Sequence, residues 1–104
     1  MTRDERLAKN EAFFRDANEV TEEDSTGWGE QRFMCECSTR GCVHRVALTK
    51  PEYEHVRANP DHFFVVPGHE TPAIEVVVER FPGYLIVAKI GEAEEYADET
   101  DPRA

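Results

Sequence analysis

Apolar side chains recur at helical spacing over residues 3 to 19: Leu7 and Phe14, and one turn shifted Phe13, Ala17 and Val20, stand among Arg, Asp, Glu and Lys. The spacing predicts an N-terminal helix with a narrow apolar stripe, which packs on the domain or presents Phe13 and Phe14 to another protein. From Glu22 to Gly29 acids mix with Ser25, Thr26, Gly27 and Gly29, the composition of a linker. Trp28 interrupts it and is expected to fold back over a core edge as a lid. Residues 31–37 and 42–49 read as two strands, the second alternating Val43, Arg45 and Ala47 with Cys42, His44, Val46 and Leu48. Four residues separate the two runs, which suits a hairpin loop in which Gly41 takes a positive φ.

Thr49-Lys50-Pro51-Glu52 has the order of a capping box, with Thr49 as N-cap and Pro51 in the first turn. A short helix is expected to about Ala58, stopped at Asn59-Pro60-Asp61. His62 to Val66 reads as a third strand ending at Pro67-Gly68. Residues 73–80 and 84–90 are β-rich runs around a Phe81-Pro82-Gly83 turn. In the first of these, Ile74, Val76 and Val78 alternate with Glu75, Val77 and Glu79. That alternation predicts an apolar face on the Ile74 side and a largely wet opposite face. From Glu92 to Asp101 acids dominate, with Tyr96 and two alanines among them, so a loose acidic tail is expected.

A chain of 104 residues with 39% hydrophobic content supports one modest core, of the size where a metal often adds needed stability. The fold class that follows is α+β: a small antiparallel sheet of four or five strands, an N-terminal helix and one short helix, stapled by zinc. Residues 1–26 form the N-terminal helix and linker, 27–91 the zinc-binding α+β domain and 92–104 the acidic tail. The net charge of −10, from 22 acidic against 12 basic side chains, repels phosphate backbones and anionic membrane surfaces. It argues against nucleic acid as a partner, and Arg40, Arg45 and Lys50 near the cysteines read as a solvated face. Met1-Thr2-Arg3-Asp4-Glu5-Arg6 lacks an apolar signal core and the apolar runs are too short to span a bilayer, so a cytoplasmic protein is expected.

Candidate chemistry concentrates in Cys35-Glu36-Cys37-Ser38-Thr39-Arg40-Gly41-Cys42, which holds all three cysteines of the chain. An odd count cannot be fully paired into disulfides within one chain, and a reducing compartment keeps thiols free. Three thiolates and one imidazole complete a tetrahedral shell for Zn²⁺, the expected cofactor. Two sulfurs on one such ion lie roughly 3.7 Å apart. Residues i and i+2 of an extended strand are about 6.8 Å apart, so Cys35 and Cys37 must lean together or the chain must bend between them, and the Ser38–Gly41 turn returns Cys42 opposite Cys37. The alternative is a set of simple buried thiols. For the fourth ligand, a straight hairpin pairs His44 with Cys35, but the resulting four positions form a flat rectangle. A tetrahedron instead favours a histidine from another segment. His69, on the turn Val66-Pro67-Gly68-His69-Glu70, suits that approach, with Glu70 as an outer carboxylate. His55 and His62 read as surface positions.

Cys35-Glu36-Cys37, Cys42, then Leu48-Thr49 before Glu52-Tyr53-Glu54-His55-Val56-Arg57, and Val65-Val66-Pro67-Gly68-His69-Glu70 carry a resemblance. The pattern resembles a family of small acidic proteins frequent in actinobacterial genomes, from Asn10-Glu11 through Tyr84 to the acidic end. The resemblance implies retention of the three cysteines and the Pro-Gly-His-Glu turn, while the place of His44 often holds a residue that cannot bind zinc. It therefore favours Cys35, Cys37, Cys42 and His69 as the metal ligands, and it brings no activity with it.

A closed Cys3His shell leaves no coordination position for water, and the chain contains no Gly-rich phosphate loop or nucleophile elbow. The leading expectation is a non-enzymatic, zinc-stabilised interaction or regulatory protein. Its partner is a protein, bound through the acidic surface, the Phe13–Phe14 helix or the Trp28 loop. A second expectation is a thiol-based redox switch in which oxidation of the cluster releases zinc, with Arg40 favouring the thiolate. A third is a small zinc enzyme with water in an open fourth position and Glu36 or Glu70 as general base.

Overall fold

Thr2 starts the first helix, its hydroxyl accepting from the Glu5 amide at 3.1 Å while Asp4 and Glu5 complement the positive helix end. In the computed structural model, which describes residues 1–25, 27 and 29–104, this helix α1 runs Arg3–Asp24. It extends beyond residue 19 into the stretch expected as linker. Thr26 and the expected lid residue Trp28 lie outside the described residues. The buried face of α1 is not its most apolar one: Ala8, Glu11, Ala12, Phe14, Arg15 and Asn18 are buried, whereas Phe13 is 66% and Val20 58% exposed. Small and hydrogen-bonding side chains let α1 approach β1 (Gln31–Met34) closely. Asn18 accepts from the Met34 amide at 2.8 Å and donates to the Met34 carbonyl at 2.9 Å.

β1 pairs antiparallel with β2 (Arg45–Leu48) in the register that the alternation predicts, Phe33 opposite Val46 and Gln31 opposite Leu48. Both strands are shorter than expected, and only one further bond, Cys35 N–H to the His44 carbonyl at 3.1 Å, continues the ladder toward the cysteines. The capping box closes as read: Thr49 accepts from the Glu52 amide and Glu52 from the Thr49 amide, opening α2 (Lys50–Arg57).

The strands form two sheets, not one. β3 (His62–Val65), β5 (Tyr84–Lys89) and β4 (Glu75–Phe81) make the second, with β5 central and both pairings antiparallel. The three-stranded sheet is covered on both faces. Phe64, Tyr84 and Ile86 join Phe33, Val46, Leu48, Tyr53 and Val56 in one core, and Phe63, Val65, Leu85 and Val87 join Cys35, Cys37 and Ala97 in the other. Adjacent phenylalanines of β3 therefore serve opposite cores, as the two-residue period of a strand requires.

β4 corrects the expected phase. Glu75 is buried and Val76 and Val78 are exposed, at 49% and 44%, because Glu75 faces the Lys89 ammonium across the sheet and Glu11 of α1 lies beside the same cation. An irregularity in the β4–β5 register falls between Val77 and Glu79. A second correction concerns the acidic end. Gly91–Glu99 is a helix, α3, that packs on α1 and β5, burying Ala93 and Ala97 against Ala8 and Ile74 in one place and the second core in the other. Arg15 of α1 ties it down, donating to the Ala97 carbonyl at 3.1 Å and the Thr100 carbonyl at 2.9 Å. These contacts supply the ordering energy that composition alone lacks.

Candidate metal centre

The cysteine loop leaves the β1–β2 ladder at Met34 and is then held by partners outside the hairpin. Glu36 N–H donates to the Phe64 carbonyl of β3 at 2.9 Å, which seats the segment against the three-stranded sheet. Side chains alternate there. Cys35 and Cys37 point into the β3–β5 core with exposures of 1% and 0%, while the intervening Glu36 points to α1 and α2. Its carboxylate binds the Arg57 guanidinium at 2.5 Å, the Asn18 amide at 2.9 Å and the Phe64 N–H at 3.3 Å. The Arg57 guanidinium also lies over the rings of Tyr53, Phe63 and Phe64. Both Glu36 oxygens are thereby occupied, so this residue is an anchor and not an available base.

Cys42 returns through the turn after Thr39, whose carbonyl accepts from the Cys42 N–H at 3.1 Å, with Gly41 at φ 84°. A side chain at Gly41 is disfavoured by that dihedral. Asn10 of α1 donates to the Ser38 carbonyl at 3.0 Å, and the Ser38 and Thr71 hydroxyls are 2.6 Å apart. The loop is thus fixed from both α1 and the segment after β3.

His69 arrives from that segment. The chain turns at Pro67-Gly68, with Gly68 at φ 94° and the His69 N–H donating to the Val66 carbonyl at 2.9 Å. Its Nδ1 lies 3.7 Å from both Cys35 Sγ and Cys42 Sγ. The ligand atoms of Cys35, Cys37, Cys42 and His69 all fall within 4.8 Å of one another. A tetrahedral shell with bonds of about 2.0–2.3 Å has edges of roughly 3.3–3.8 Å; the two His69–sulfur distances fall in that range and the whole group is close enough to hold one small ion. Among the described residues it is the one such group. His44, paired with Cys35 along the hairpin, is exposed and stands edge-on to the His69 ring at 4.7 Å, outside the shell. Glu70, expected as an outer carboxylate, accepts from the Gly68 N–H at 2.7 Å and so closes the turn that carries His69. His55 is exposed and bound to Glu79 at 2.7 Å, and His62 is half-buried, both away from the cluster.

The thiols share their protons unequally. Cys37 is pulled down to about 4, first by its hydrogen bond with Cys35 and then by those with His69, the Thr39 backbone and Cys42, against the cost of burial. Cys35 is pushed well above the ordinary thiol range by the same contact with Cys37, with burial second. Burial raises Cys42. Crowding and partial desolvation of the sulfurs work against ionising all three at once, and a dication bound there would displace the remaining protons. The Val66 N–H donates to Cys35 Sγ at 3.2 Å, a bond that a metal-bound thiolate also accepts.

Sequence reading missed the buried charges that surround this centre. Glu11, Arg15, Glu36, Arg57, Glu75 and Lys89 are all less than a tenth exposed, and Phe63 has the Arg15, Arg57 and Lys89 cations within 5.1, 5.6 and 4.7 Å of its ring centroid. Nothing in their local sequence distinguishes them from surface charges. No protein-family model matches the chain, and no curated protein or solved structure matches it significantly.

Proposed function

We propose that this is a zinc-stabilised, non-enzymatic interaction or regulatory protein that binds a protein partner. The observation that carries this reading is the convergence of Cys35, Cys37, Cys42 and His69, two of the four buried, which together would fill a tetrahedral shell. Three sulfurs and one nitrogen able to converge on one ion suit Zn²⁺ better than the harder oxygen-seeking cations. With all four positions taken by protein, the ion ties the hairpin loop to the Pro67-Gly68 turn and offers no site to a substrate. The two carboxylates adjacent to ligands in sequence, Glu36 and Glu70, both serve backbone or ion-pair contacts, which removes the bases an open-site enzyme would use. A reducing compartment such as the cytoplasm fits the three free thiols, and no helix among the described residues is long and apolar enough to cross a membrane.

Elemental analysis of protein purified without chelators tests the metal, with one zinc per chain expected. Cobalt substitution tests closure. A tetrahedral cobalt spectrum that ignores added azide supports a saturated shell, and one that shifts with azide replaces this reading with the enzymatic one.

A redox role is favoured by one detail: Cys42, alone of the three cysteines, is only partly buried. In that reading hydrogen peroxide takes two electrons from the Cys37 and Cys42 thiolates, which form a disulfide, while peroxide and two protons become two waters and zinc departs. Zinc retained under mild peroxide, followed with a chromogenic chelator, rules it out.

A further inference from the structure

One surface runs against the acidic character of the chain. A groove of about 830 Å³ lies between α1 and the cysteine loop. Its rim carries Arg6 and Lys9 from the helix and Arg40 and Arg45 from the loop side, and no Asp or Glu lines it, although acids outnumber bases 22 to 12 in the whole sequence. None of these four cations forms an ion pair among the described residues; the described pairs of Arg and Lys use Arg15, Arg57, Lys89 and Arg103. Between the two basic walls the surface is apolar. Phe13 and Val43 line the groove while remaining 66% and 79% exposed, and Met34 lies on the same surface.

Arg6, Lys9 and Phe13 follow the three- and four-residue spacing of a single helix face. Of the stripe read from the sequence, Phe14 is buried and Phe13 stays 66% exposed, and both line the groove. Bulky apolar groups kept in water beside unpaired cations are the composition of a binding surface with a charged rim.

We propose that this groove binds an acidic peptide segment of a partner protein, with one bulky apolar side chain seated between Phe13 and Val43 and carboxylates on either side of it meeting Arg6 and Lys9 on one wall and Arg40 and Arg45 on the other. The proposal names the site and chemistry of the interaction role above and rests on that role. Cations on two opposed walls call for anions on both sides of the apolar anchor. A small amphiphile with one anionic head satisfies only one wall. A nucleic-acid strand matches the cations but, on leaving the groove, meets a chain of net charge −10 within about one Debye length, roughly 8 Å. The cysteine loop supplies Arg40, Cys42 and Val43 to the groove, so the metal centre braces one wall.

The test is selection from a random twelve-residue peptide display library on the zinc-loaded, full-length chain, followed by fluorescence anisotropy of the enriched peptides. Enriched sequences are expected to be net acidic around one aromatic or branched aliphatic residue. Their binding should weaken about tenfold in Arg40→Glu/Arg45→Glu and in Phe13→Ala, and stay unchanged in Arg80→Glu, which reverses an exposed charge on β4 outside the groove. All these positions are exposed, and circular dichroism melts confirm that the variants fold. Peptides that are not acidic, or that bind the double reversal as tightly as wild type, overturn the groove while leaving a protein-binding role intact. No enrichment at all overturns both. Tighter binding of fluorescein-labelled (dT)12 than of any peptide makes nucleic acid the occupant, and peptide-blocked dimerisation in sedimentation makes it a second copy; either result overturns the proposal.

Discussion

At the scale of single residues, the cluster separates the two histidines weighed as fourth ligand and includes the one that the sequence reading favoured, His69. His69 Nδ1 is 3.7 Å from two sulfurs, whereas the exposed His44 ring stands edge-on to that of His69, outside the cluster. His69→Ala is expected to weaken zinc binding by more than the roughly 10–100-fold typical of losing an outer-shell partner, and His44→Ala to leave it within about threefold. Competition with a chromogenic chelator measures both, and equal losses would contradict the assignment. A second residue-scale prediction comes from Glu11. Burial, opposed by Lys89 and reinforced by Glu75, raises its carboxyl well above the usual 4.5, and neither oxygen accepts a hydrogen bond of good geometry. The folded state thus holds a proton there that the unfolded state releases above pH 4.5, so this group's contribution is fully present below that pH and is lost as pH rises toward the folded value. Glu11→Gln leaves Lys89 and Glu75 as a one-to-one pair, and its stability relative to wild type is expected to improve between pH 5 and pH 8 in urea titrations. An unchanged difference over that interval would mean that Glu11 is already ionised in the fold. The cysteines were legible in the sequence because their chemistry is rare and their spacing short. Glu11 was not, because a glutamate among helical acids looks the same whether or not a lysine waits across the fold.

At the scale of elements, α3 is where composition misleads. Its residues are mostly acidic, yet Ala93 and Ala97 are 0% and 2% exposed and Arg15 spends three hydrogen bonds on Ala97 and Thr100. Removing residues 91–104 takes three hydrogen bonds, each of a kind worth about 1.5–3 kcal/mol, from the Arg15 guanidinium and uncovers Ala8 and Ile74, a net loss of about 3–5 kcal/mol once water replaces part of it. In a domain of this size that corresponds to a fall in Tm of roughly 12–40 °C, read by calorimetry; a truncated chain melting within about 3 °C of the full one would show α3 to be dispensable. α2 presents the opposite situation. Its Thr49–Glu52 box, Pro51 in the first turn and the stop before Pro60 are local signals, and they sufficed to predict its bounds to within a residue. The hairpin register was also legible, since Val46 and Leu48 alternate with exposed neighbours. The early end of its ladder was not, because the loop leaves the hairpin to bond Phe64, Asn10 and Thr71.

At the scale of the molecule, the Cys35–Cys37–Cys42–His69 cluster brings residues 35–42 beside residue 69, and an ion held there would crosslink the small sheet's loop to the segment after β3. By analogy with a covalent crosslink closing a loop of that length, about 2–4 kcal/mol depends on it, or roughly 10–30 °C in Tm. Adding a chelator is expected to lower Tm by that order, with restoration by zinc; an unchanged melt would remove the staple from the account of stability. From sequence alone came the α+β class, most element positions, the Thr49 cap of α2 and a thiol cluster spaced for a metal, because each depends on the geometry of a few consecutive residues. Tertiary structure decided which side of β4 faces inward, how six charged side chains are tolerated inside, that the acidic end is helical, and that an imidazole 27 positions past Cys42 reaches its sulfur. Those outcomes depend on partners far apart in the chain. Burying a charge or completing a shell is favourable only once the fold has carried the neutralising group to it.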